Sequence, residues 1–159
     1  MKKRILVVGC FDLYHLGHCD LYEQASKLGT HLTVGVASDN ILRAYKKREP
    51  IFPAEHRKKI IESNRHVNKV HIYGLKCPDP ANVPIEVCIE HNDLAQIELI
   101  DKVRPHILAQ GQDKTCPLEG VLEKYGIQRV LLERLSEQYI STSGYLKKIG
   151  MLYEESIDT

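Results

Sequence analysis

Gly9-Cys10-Phe11-Asp12-Leu13-Tyr14-His15-Leu16-Gly17-His18 follows an apolar run, Ile5-Leu6-Val7-Val8. It precedes a segment with Leu21, Ala25 and Leu28 at helical spacing that stops at Gly29. The apolar run reads as a buried parallel strand, and the ten residues after it as a glycine-bearing turn entering a helix. Backbone N–H groups and the positive end of the helix dipole then face the space beyond the strand, where an anion is stabilised. His15 and His18 are three residues apart, so both imidazoles can address one anion. Gly17 lets a phosphate chain approach the helix backbone closely. Taken alone, the two histidines also fit a capping and packing pair, or a shared metal ion.

Outward from this turn, apolar runs alternate with helical patterns. Leu32 to Ala37 reads as a second strand ended by Ser38-Asp39-Asn40, and Ala54 to Asn64 as a helix entered through Pro53. Val67 to Tyr73 holds a third strand. Leu94 to Val103 is helical and stops before Pro105. His106 to Ala109 is a fourth strand, Leu118 to Tyr125 a helix closed by Gly126, and Val130 to Leu132 a fifth strand. Gly144 to Ile149 is a last helix opened by Ser141-Thr142-Ser143. Such alternation predicts a Rossmann-like α/β domain, a parallel sheet with helices on both faces and a ligand beyond the strands' carboxyl ends. Residues 1–150 form this one domain, and the acidic tail 151–159 is expected to fray. Residues 74–93, with Gly74, Pro78, Pro80 and Pro84, read as irregular: a lid over the site or a surface insertion.

Composition narrows the class. The chain has 159 residues, a formal net charge of +1 and 43% hydrophobic residues, which fits a soluble globular domain with no sign of a nucleic-acid partner. Met1-Lys2-Lys3-Arg4 before an apolar run ending at Cys10 superficially resembles a lipoprotein leader. The run is only about five residues, against the roughly 7–15 that a leader needs, and no stretch approaches the roughly 18 of a membrane span. A cytoplasmic protein is the expectation. The five cysteines are an odd number without C-x-x-C spacing and read as free thiols. Cys77, Cys88 and His91 match no common structural zinc spacing.

The run G-x-F-D-x-x-H-x-G-H resembles the signature of the nucleotidyltransferase superfamily, and Ile140-Ser141-Thr142-Ser143 resembles its I-S-T-[TS] element. The likeness spans residues 4 to about 149. It implies transfer of a nucleoside monophosphate from a nucleoside triphosphate to a small phosphorylated acceptor, with Mg²⁺ accompanying the nucleotide. His15, His18 and Lys46 are the implied catalytic residues. Gly9, Cys10, Phe11, Gly17, Arg48, Gly111, Asp113, Ser141, Thr142 and Ser143 are the implied nucleotide contacts. Asp12, Arg57 and Arg134 are candidates for substrate contact, and no protein metal ligand is implied. A homodimer follows from the resemblance only.

Each element also has a plainer reading. Ser141 to Ser143 can simply cap a helix, Ala44 to Pro50 can be a solvated basic loop, Asp113 can open a turn, and Arg57 can form a surface salt bridge. Aligning on Glu55-His56-Arg57-Lys58, shared with glycerol-3-phosphate cytidylyltransferases, puts Lys46 and Arg48 at that family's phosphate-contacting lysines. The sequence departs from the family where Cys10 replaces threonine, Asn68 replaces aspartate, and Arg134 stands six rather than four residues before Ile140. The expected nucleotide is CTP. The alternative is an adenylyltransferase using ATP, with a sugar phosphate or FMN as acceptor.

Overall fold

The computed structural model describes residues 2–112, 114–134 and 141–157. Five strands, β1 (Arg4–Gly9), β2 (His31–Ala37), β3 (Lys69–Tyr73), β4 (Ile107–Gly111) and β5 (Gln128–Leu132), form one sheet in the order β3-β2-β1-β4-β5. Every neighbouring pair is parallel: Val7 lies opposite Val34, Ile5 opposite Ile107, Val34 opposite Val70 and Ala109 opposite Val130.

The pleat sorts the core. Ile5 and Val7 join Val34, Val36, Ile107 and Ala109 on one face, under Tyr22 and Ala25 of α1 (Leu16–Ser26) and Ile61 of α3 (Ala54–Glu62). Leu6 and Leu108 point the other way, against Ile41 of α2 (Asp39–Lys46), Leu99 and Ile100 of α4 (Ile85–Val103) and Leu122 of α5 (Glu119–Tyr125). Successive side chains alternate across a strand, so the continuous apolar runs of β1 and β2 serve both faces. Strand order reverses between β1 and β4, which opens a crevice at their carboxyl ends. The last helix, α6 (Thr142–Ile157), completes the chain's described part.

Three expectations are corrected. Ser38-Asp39-Asn40 does end β2, but it also starts α2: Ser38 Oγ accepts from Ile41 N at 3.4 Å. A serine before an apolar i, i+1, i+3 set is a helix start that the adjacent strand hid. The segment 74–93 is irregular only up to Pro84, because α4 begins at Ile85, well before Leu94. Pro84 occupies the N-cap, where proline's fixed φ suits helix entry, so it opens the helix. The acidic tail is not irregular from Met151, since α6 runs on to Ile157. Among the described residues no helix is long and apolar enough to cross a membrane.

Candidate active site

The turn after β1 is strained and then pinned. Phe11 and Leu13 both have φ of +50°, a left-handed conformation that costs a non-glycine residue about 1–2 kcal/mol. Between them Asp12, buried at 3% exposure, accepts hydrogen bonds from Ile51 N (2.9 Å), Phe52 N (2.9 Å) and Arg48 Nη1 (2.7 Å). Its backbone oxygen accepts Thr142 Oγ1 at 2.9 Å. Burial pushes the Asp12 carboxyl up, but the two amides and the guanidinium outweigh it and hold it below the usual range. One residue thus ties the β1 turn to the loop after α2 and to the start of α6. With its carboxylate engaged in this way, Asp12 holds these three segments together.

The histidines stack. Their ring centroids lie 3.8 Å apart at 25°. His15 caps α1, its Nδ1 accepting from Gly17 N at 3.1 Å, which leaves the proton of the neutral ring on Nε2. His18 packs edge-on to Phe11 at 5.4 Å, and Tyr14 and Tyr22 extend the aromatic nest. Gly9 permits this, because a Cβ there would stand 2.8 Å from the Phe11 ring. Among the described residues, buried His18 Nδ1 and Tyr22 Oη have no hydrogen-bond partner.

Burial, and then the neighbouring His15 ring, lowers His18 to about 3 against the opposing pull of Asp12. Burial and Arg134 lower His15. Both rings are therefore neutral N–H donors at pH 7. In the unfolded chain each titrates near 6.5. Below that pH the unfolded chain takes up protons that the folded chain refuses, until folded His18 protonates near 3. Stability is thus whole above pH 6.5 and falls toward pH 3. His31 and His71, also lowered chiefly by burial, add with the same sign. The Tm should drop between pH 7 and pH 4, and drop less in His18→Phe; equal drops would contradict the buried neutral state of His18.

The start of α6 closes the other side. Ser141 Oγ accepts from Gly144 N at 3.1 Å, Thr142 holds the Asp12 carbonyl, and Tyr145 lies 5.6 Å from the His15 ring. Ser143 follows in the first turn of α6. Arg134, after β5, is close enough to depress His15. The structure therefore gathers His15, His18, Arg134 and the α6 N-terminus at one crevice, although they come from opposite ends of the sequence.

Lys46 ends α2, and Lys47 at φ +52° turns the chain back so that Arg48 reaches Asp12. Arg48 is thereby an anchor of the loop, with its side chain still 28% exposed. Arg43, Lys47, Arg48, Asp79 and Ala81 border a cleft of about 370 Å³. Cys10 lies at the end of β1 where burial raises its thiol, opposed by Lys46, Arg57 and Lys114. Lys114 is a cation that sequence reading missed. Its only signal was its place just after Gln110-Gly111-Gln112, at the end of β4. Gly111 accepts from Lys114 N at 3.0 Å. Asp113 and Ile140 lie outside the described residues.

Arg57 departs from the expected substrate contact. It is 1% exposed and donates to Phe52 O (2.9 Å), Cys10 O (2.6 Å), Ala37 O (2.8 Å) and Asp39 Oδ1 (2.6 Å). Its guanidinium is spent on joining the ends of β1 and β2 to α2 and α3. Among the described residues no group of three His, Cys, Asp or Glu could hold a metal, and Cys77 and Cys88 are buried in the core.

A parallel sheet with paired histidines and a helix N-terminus at its switch point defines a nucleotide-binding α/β protein of the phosphate-transfer kind. Residues 6–148 match the cytidylyltransferase-like family, and the chain belongs to that family of nucleotidyltransferases. It is 34% identical to the FAD synthase of Thermococcus kodakarensis over 151 residues, covering 93% of this chain and 89% of that protein. It is 32% identical to the FAD synthase of Thermococcus onnurineus, covering 97% and 95%. The lipopolysaccharide core biosynthesis protein of Thermoplasma volcanium shares the fold with a TM-score of 0.62 at 23% identity, covering 86% of this chain and 98% of that one.

Proposed function

We propose that the chain is an FAD synthase that transfers AMP from ATP to the phosphate of FMN and releases pyrophosphate. The observation that carries this reading is the 34% identity to an FAD synthase across almost the whole of both chains. It replaces the expectation of CTP with the adenylyl alternative. The Glu55-His56-Arg57-Lys58 run behind the cytosine reading is a weak guide to the base, because its arginine is buried beneath the loop.

In the reaction an FMN phosphate oxygen attacks the α-phosphorus of ATP in line. A new P–O bond forms, and the bond from the α-phosphorus to the bridging oxygen breaks. The residues supply position and charge, with no covalent intermediate. Neutral His15 donates through Nε2, and His18, stacked beneath it, donates to the same phosphate chain. The Ser141 hydroxyl and the first backbone amides of α6 receive the phosphates displaced as pyrophosphate. Lys46, Lys114 and Arg134 offset the negative charge that gathers there. Mg²⁺ would enter with ATP and offset the charge of its phosphates.

The test crosses MgATP and MgCTP with FMN and glycerol 3-phosphate, following pyrophosphate release and separating the products chromatographically. ATP with FMN should give FAD and pyrophosphate in equal amounts, and CTP with glycerol 3-phosphate neither pyrophosphate nor product. CTP-dependent release without FAD formation would overturn the reading.

A further inference from the structure

Tyr45 stands out among the residues the mechanism leaves unused. It is 46% exposed, yet its hydroxyl is held by the amide of Asn92, which donates to it at 3.1 Å and is itself 6% exposed. An exposed aromatic ring fixed by a buried polar side chain is pre-organised, so little rotamer freedom remains for a ligand to remove. Asn92 lies on α4, which packs against α2. Ile85 and Ile89 precede it at helical spacing and are 41% and 40% exposed.

Tyr45 is also well placed. It directly precedes Lys46, and the loop that follows is tied through Arg48 to Asp12 in the β1 turn. Its hydroxyl is also within electrostatic range of Cys10 at the end of β1. A phosphorylated acceptor with a flat aromatic head can put its phosphate at the cations and its ring on the tyrosine. A glycerol phosphate has no flat face to lay on such a surface.

We infer that Tyr45 is the stacking platform for the isoalloxazine ring of the acceptor, positioned by Asn92 and set beside the lysine that meets the phosphate. The inference rests on the FMN reading above. Offset stacking on a fixed aromatic, together with the apolar area it covers, makes such a platform a determinant of acceptor affinity.

Steady-state FAD formation tests it. Tyr45→Ala should raise the KM for FMN about tenfold and leave the KM for ATP within twofold. Tyr45→Phe, which keeps the ring and loses the Asn92 bond, should recover most of that loss. Tyr45→Leu serves if thermal melts show that the alanine variant does not fold, and its FMN KM should rise as far, since bulk without a π face does not stack. If the wild type makes FAD but these variants leave the FMN KM within twofold, or raise both KM values equally, the platform is disproved and the FMN reading stands. If the wild type makes no FAD, the FMN reading falls and the platform falls with it.

Discussion

His18→Ala should lower kcat for nucleotidyl transfer by about 10²–10³-fold, the usual loss when one preorganised donor to a developing oxyanion is removed. The ring is held by contacts on three sides: His15 stacked at 3.8 Å, Phe11 edge-on at 5.4 Å, and Tyr14 at 5.9 Å. None of these is a hydrogen bond, and Nδ1 is buried without a partner among the described residues. The fold therefore gains little from the imidazole's polarity, whereas a phosphate chain at the crevice gains a donor. Far-UV circular dichroism of the variant should match wild type, with activity lost and the KM for the nucleotide changed less than kcat. Full activity in His18→Ala would sink the catalytic assignment.

The opposite pattern is expected at Arg57. Arg57→Leu removes the donors that a buried guanidinium gives to three main-chain carbonyls and the Asp39 carboxylate. Asp39 keeps its bond from Ala54 N, but the Cys10, Ala37 and Phe52 oxygens lose charge-assisted bonds. With each orphaned acceptor costing about 1–3 kcal/mol, partly relieved by relaxation, the loss is about 3–5 kcal/mol. For a domain of this size that is a fall in Tm of roughly 6–20 °C. Arg57→Lys should recover part of it, because an ammonium can serve some of these acceptors but not with the planar fork. A Tm within 2 °C of wild type would show that the guanidinium is not the staple described, and would return Arg57 to the list of substrate contacts.

These two residues mark what local sequence can and cannot place. His15 and His18 were legible because their chemistry is local: a strand, a turn and a helix start within a few residues already aim donors at an anion. Ser141 and Thr142 were legible by resemblance, and a capping reading accounted for them equally well. Only the fold carries Thr142 to the Asp12 carbonyl. Arg57 read as a substrate contact by resemblance or as half of a helix-surface salt bridge, since nothing in Glu55-His56-Arg57-Lys58 tells which side meets the ends of two strands. Tyr45 drew no attention for the same reason, because its partner Asn92 lies on another helix.

The sequence by itself determined most of the strand and helix alternation, the parallel sheet and the turn that enters α1, because hydrophobic period, glycine stops and helix starts act over a few residues. Tertiary structure decided which charged groups face the crevice and which are spent beneath it. It put Arg48 on Asp12 and Arg57 on three carbonyls, and it brought Arg134 and α6 to His15. Those outcomes depend on contacts across many residues, in which the donors and acceptors of one segment are satisfied only by another. Local pattern has no access to that pairing.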